Sequence, residues 1–160
     1  MAFTPEEIDY MRSQPVGRIG TVDAAGQPDA APIGIEYDGR YFYVGGGHAT
    51  EKTRKFRNVA AGQDKIVLLW DDVVTTDPWT PRFLRVYGTG EFVERGGMFG
   101  TGTYLRISPS ISWSWNLEAL PFDGSTDREF VPRRTVHTDD STADVVAVFP
   151  DHPDVRDRNR

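Results

Sequence analysis

Apolar and polar positions along the first third of this chain follow two periods. Phe3-Thr4-Pro5-Glu6-Glu7 opens a short amphipathic helix: Thr4 suits the N-cap, Pro5 the first helical position and Glu7 a capping box. The spacing predicts a helix to about Ser13, with Ile8 and Met11 inward, ended by Gln14-Pro15. The period then becomes two. Val16 to Val22 reads as a strand, and Asp23-Ala24-Ala25-Gly26 as a turn. Pro28 to Tyr37 reads as a second strand interrupted at Pro32, Asp38-Gly39 as a hairpin turn, and Tyr41 to Val44 as a third strand.

Beyond three consecutive glycines, 45–47, a helix is predicted from Thr50, as N-cap, to about Asn58. Lys65 to Trp70 is a continuous apolar run after its first residue, the pattern of a central strand. Residues 71–81 read as a loop in which Pro78 and Pro81 bracket Trp79, a ring suited either to plugging the core or to a ligand or interface. Arg82 to Val93 alternates, with Gly88 and Gly90 marking strong curvature or close backbone approach. A glycine-rich stretch precedes a last strand, Thr103 to Ile107, and an alternating aromatic segment, Ile111 to Asn116. From about Glu118 the chain turns polar. Its one apolar island, Val145 to Val148 with Phe149, either docks on the domain or a second subunit or stays irregular. Six strands with short turns and one crossover helix predict a mainly β protein, a closed or partly closed antiparallel barrel. Residues 1–116 form that domain in this reading and 117–160 a partly irregular extension, whose removal is expected to leave the fold and cofactor binding intact while altering substrate range.

Composition narrows the function classes. At 160 residues and 38% hydrophobic, the chain suffices for one domain with a core. A net charge of −6 argues against general nucleic-acid binding. No apolar run reaches membrane-span length and the N-terminus has no signal-peptide pattern, so a soluble cytoplasmic protein without a membrane partner is expected. The absence of cysteine excludes disulfides and thiolate sites, and His48, His137 and His152 lie too far apart in sequence to suggest a metal site.

The stretch with chemistry is Tyr41 to Lys55. A strand, a glycine turn, and the cluster Lys52-Thr53-Arg54-Lys55 at a helix start describe a cradle for a phosphate. The same residues also fit a flexible loop and a solvated helix face. The stretch is neither a Walker loop nor a dinucleotide turn.

Taken in order, Gly17 to Val22, Pro28 to Asp38, Gly46-Gly47-His48, Thr53 to Arg57, Asp77-Pro78-Trp79-Thr80-Pro81-Arg82 and Arg106-Ile107-Ser108-Pro109 resemble the pyridoxamine 5'-phosphate oxidase-like split-barrel family. More closely they resemble its actinobacterial branch, which binds the deazaflavin coenzyme F420. The resemblance covers residues 3–116. It implies a six-stranded split barrel with short flanking helices, dimerising with the cofactor at the subunit interface. It places the cofactor phosphate on Lys52, Thr53, Arg54 and Lys55, and the ring near Pro32, Ile33, Gly34, Val44 and Gly45. His48 contacts the cofactor tail or caps a turn, and Trp79, Arg82 and Arg85 come from the neighbouring subunit.

The implied activity is a hydride transfer between F420 and a small organic substrate, the cofactor carrying the hard chemistry. FMN is the alternative cofactor, and a non-catalytic flavin or deazaflavin carrier is the alternative of another class. Arg18 and Arg57, with Arg54 and Lys55, suit the acidic tail of F420. Tyr41, Tyr43, Tyr104 and His48 are open candidates for a proton donor, as is solvent, so no catalytic residue is assigned. The chain departs from the branch at Ser114-Trp115-Asn116, where a glycine commonly follows Ser-Trp, and in its long extension. Both lie where the substrate side would close.

Overall fold

The computed structural model describes residues 2–47, 50–121 and 130–138. Helix α1, Pro5–Ser13, starts as its sequence dictates: the Thr4 hydroxyl accepts from Glu7 N, and Glu7 Oε2 accepts from Thr4 N. Glu7 is buried, and its other oxygen accepts from Ser114. Strands β1 (Gly17–Val22), β2 (Pro28–Ile33), β3 (Glu36–Tyr37) and β4 (Phe42–Gly45) follow. A 3-10 turn at Thr50–Lys52 leads into α2, Arg54–Ala60. Then come β5 (Lys65–Thr76), β6 (Trp79–Gly97), β7 (Gly100–Trp115) and β8 (Arg133–Val136).

All strand pairings are antiparallel, in one sheet of order β2-β1-β5-β6-β7-β4-β3, with β8 on β7. The sheet wraps a core in which Ile19, Leu68, Leu84, Val86, Leu105 and Ile107 are closed to solvent. Tyr10 and Met11 of α1 and Phe56 and Val59 of α2 join it.

The fold is mainly β, as the alternation predicts, but its strands differ from the six expected. The ladder of β2 runs straight through Pro32, which faces Arg18. An end strand tolerates a proline because one of its edges has no neighbour. The break falls at Gly34, over which the Phe99 ring lies so closely that a Cβ would sit 3.2 Å from it. Residues 71–81 are not a loop: β5 continues to Thr76 and β6 begins at Trp79, making a hairpin arm. The run Val73-Val74-Thr75-Thr76 is β-branched and so favours extended backbone. Residues 100–115 form one long strand despite Pro109, which sits in the gap where β4 has ended its pairing with β7 and β8 has not begun. Finally, β8 belongs to the extension and pairs with residues 111–114. The apolar island at 145–149 lies outside the described residues, as does His48.

Candidate functional site

A groove of about 720 Å³ crosses the outer face of the sheet from Pro28 and Ala30 on β2 to Tyr87 and Thr89 on β6. That volume is typical of sites for small organic molecules. Small side chains keep its floor low. At Gly20, between Ala30 and Val67, an added Cβ would meet Val67 Cγ1 at 2.5 Å. Asp29, Lys65, Thr89 and Ser110 put polar groups around a mostly apolar surface.

Helix α2, which carries the basic cluster, packs on β1 and β2, and no residue of that cluster lines the groove. Its anchor is a buried hydrogen bond from Asn58 Nδ2 to Thr21 Oγ1 on β1, 3.0 Å long. Phe56 and Val59 seat the same helix on the core. Lys55 is half-buried beside Asp29, which lines the groove. Burial holds its ammonium below the ordinary value of 10.5, against the opposing pull of Asp29. Lys52 and Arg54 are exposed. Thr53 is the N-cap without a side-chain cap bond; its hydroxyl donates instead to Thr50 O at 2.6 Å. With the helix only seven residues long, the cations rather than its dipole carry the positive charge. Arg57 turns the other way, into a pocket of about 290 Å³ with Phe56 and Phe92.

The glycine turn has a structural reason. Gly45 and Gly46 have φ of 112° and 85°, in the left-handed region. A Cβ on Gly45 would strike Phe56 at 2.6 Å, and one on Gly46 would strike the Tyr104 ring at 2.2 Å. Val44 is sealed in the core, Ile33 packs partly against it, and Pro32 is exposed on the outer face.

Trp79 and Arg82 lie on the hairpin arm, away from Lys55. Lys65 to Thr76 covers eleven residue steps, up to about 36 Å of strand. Trp79 is half-exposed, and Arg82 is engaged by Asp72 through bonds of 2.8 and 3.0 Å. Tyr43 donates to Asp38 at 2.9 Å, and burial with that bond pushes its phenol up to about 12. Tyr104 is fully buried, donating to Gly100 O at 2.7 Å, and burial raises it also. Neither phenol is set to release a proton.

Tyr87, Thr89 and Ser110 were not singled out by the sequence reading, although β6 carried the signal: every second residue from Phe83 faces outward with Leu69, Val67 and Lys65 of β5. Among the described residues no group of three or more His, Cys, Asp or Glu could hold a metal, and no helix is long and apolar enough to cross a membrane.

Residues 3–121 match the pyridoxamine 5'-phosphate oxidase family. The chain is 34% identical over 123 residues to the 5a,11a-dehydrotetracycline/5a,11a-dehydrooxytetracycline reductase of Streptomyces rimosus subsp. rimosus, covering 74% of this chain and 86% of that one. Among solved structures it is similar to a conserved hypothetical protein of Mycobacterium tuberculosis, with a TM-score of 0.55 and 17% identity over 82% of this chain and 93% of that one. It is also similar to a structure described as an F420 reductase, with a TM-score of 0.51 and 17% identity over 68% and 98% of the two chains.

Proposed function

The chain belongs to the pyridoxamine 5'-phosphate oxidase family, and we propose that it is a reductase using a deazaflavin of the F420 type on a small organic molecule. The observation that carries this reading is Lys55: a half-buried cation beside Asp29, a residue that also lines an apolar groove large enough for a planar ring system. A cofactor phosphate would meet Lys55 and the Thr53 hydroxyl, and the ring would lie along β2 at Pro32, Ile33 and Gly34. Burial has already stripped Lys55 of part of its water, so an anion restores what folding removed. The residues present therefore fit such a cofactor. The exposed Lys52 and Arg54 beside them suit an acidic tail, which favours F420 over FMN.

Once bound, the cofactor supplies the hydride. The chain's part is to hold the phosphate, keep the ring flat along β2 and exclude water. An electron-poor carbon–carbon double bond or an imine is the acceptor, in keeping with a relative named as a reductase of dehydrotetracyclines. The groove is open along the sheet's outer face. A second copy of the chain closing it, with Trp79 and Arg82 contributed across the interface, gives a homodimer in the cytoplasm, where phosphorylated cofactors are retained.

Fluorescence titration of the purified protein with oxidised F420, and separately with FMN, tests this. Tight F420 and weak FMN binding is expected. Preference for FMN moves the protein to the flavin branch, binding of neither removes the redox reading, and cofactor binding without any substrate-dependent oxidation makes it a carrier.

A further inference from the structure

Arg85 on β6 has no ion-pair partner among the described residues. Its guanidinium lies 4.6 Å from the centroid of Trp113 and 5.4 Å from that of Tyr87. Its Nε is closed to solvent and makes no hydrogen bond. Asp71, on the same outer face one row away, is already 3.5 Å from Arg18. A cation held by two aromatic rings, with one donor shut off and unanswered, is under-solvated. An arriving anion offsets that deficit.

Tyr87 ties this cation to the groove. Its ring lines the groove and meets Trp113 edge-on at 4.9 Å. The ladder places Arg85 opposite Leu69 and Tyr87 opposite Val67, so the cation and the apolar floor share one face. We propose that Arg85, Tyr87 and Trp113 form the acceptor-substrate end of the groove. The substrate class is a planar conjugated molecule bearing an anionic oxygen, a carboxylate or an ionised enol. That oxygen pairs with Arg85 and the rings lie against Tyr87. The planar fork of the guanidinium, pre-oriented by stacking, suits such a group better than a mobile ammonium. The assignment rests on the reductase reading above and names the molecule that its groove would accept.

The test is isothermal titration of the full chain with 2-naphthoate and with its neutral counterpart, 2-naphthamide. The wild-type protein is expected to prefer the naphthoate by at least about tenfold, the scale of one charge-assisted hydrogen bond. Arg85→Met should bring the two affinities to within about twofold, since that bond is gone. Equal affinities in the wild type, or an unchanged preference in Arg85→Met, overturn the assignment. Should Arg85→Met fail to fold, Arg85→Lys decides: a diminished preference supports the site and an unchanged one overturns it. Lys55→Ala separates the two readings, because it should weaken F420 binding and leave the naphthoate preference in place. Failure of F420 and FMN to bind while that preference persists removes the cofactor and keeps the anion site; the reverse removes this site alone.

Discussion

The phenol of Tyr10 on α1 donates to Asp72 Oδ1 on β5 at 2.8 Å. Arg82 holds the same carboxylate through two bonds and lies over the Tyr10 ring at 4.8 Å. One helix and two strands thus meet in a single polar cluster at the root of the hairpin arm. Burial and then Asp72 push the Tyr10 phenol far above its ordinary value. At Asp72 burial also pushes upward, but bonds from Arg82 and Tyr10 prevail and hold its carboxyl low.

Tyr10→Phe is expected to cost about 1–2 kcal/mol, the scale of a hydrogen bond to a charged group. Urea denaturation monitored by circular dichroism measures it. Because the Asp72 carboxyl is depressed in the folded state, its contribution is complete above the ordinary value of 3.8 and is lost as pH falls below it. Stability should therefore decline in that acid window, and less steeply in Asp72→Asn. An identical acid profile in the variant would count against the cluster.

Lys55→Ala should weaken F420 binding by about 1–3 kcal/mol. A pH series adds a signature that simple loss of structure would not give. The folded pKa of Lys55 is lowered, so the unfolded chain holds the proton longer, and the group's contribution to stability rises as pH climbs through that range. Phosphate binding needs the proton and should fall over the same range. Lys55→Arg should move the fall in affinity to higher pH. Affinity independent of pH up to the ordinary lysine range would exclude Lys55 as the phosphate ligand.

The sequence made the α1 cap and the two early hairpins, β1–β2 and β3–β4, legible, because each depends on residues within a few positions of one another. Thr4, Pro5 and Glu7 suffice for the cap. It did not show what long-range pairing decides. Val73 to Thr76 favour extended backbone but sit between Asp71-Asp72 and Asp77-Pro78, which read as loop, and it is pairing with β6 that makes them strand. Pro109 looks like a stop and is harmless only because β4 and β8 leave room for it. The glycines of the predicted cradle suggest a ligand in sequence; their positions follow from Phe56 and Tyr104. Arg85 looked like any flanking cation until Trp113, twenty-eight positions on, was placed beside it.

Gly46→Ala carries two penalties, a left-handed backbone and a Cβ inside the Tyr104 ring. A loss of about 2–4 kcal/mol is expected from strain and overpacking together, read as a lowered thermal midpoint. Gly26→Ala, with a similar φ of 85° and no atom within 4 Å of the added Cβ, should lose less. Equal losses at the two sites would mean that backbone strain alone matters.

Truncation after Asn116 removes β8. That strand supplies the buried Thr135, and the segment adds a 2.8 Å bond between His137 Nε2 and Ser112 Oγ. Losing several hydrogen bonds of about 1 kcal/mol each should lower stability by roughly 2–4 kcal/mol, visible as an earlier urea midpoint. A midpoint equal to that of the full chain would show the extension to be dispensable for the fold, as its polar composition suggests.

Trp79→Ala should leave the stability of the isolated chain within about 0.5 kcal/mol, as befits a half-exposed residue at a turn. Sedimentation equilibrium should nonetheless show weaker self-association, and F420 affinity should drop in step. A variant that associates as tightly as the parent would remove Trp79 from the interface.

The arm that carries Trp79 is a cantilever. Its beam is the two-stranded ribbon of Val73, Thr76 and their partners Pro81 and Trp79, and its clamp is the Asp72–Arg82 pair bolted to Tyr10. Force applied at the tip acts with the full length of the ribbon as leverage on that clamp. That clamp is shared with the N-terminal helix, whose Glu7 grips Ser114 on β7. A molecule that seized Trp79 would thus tug mechanically on the strand that also carries Trp113, without touching the groove.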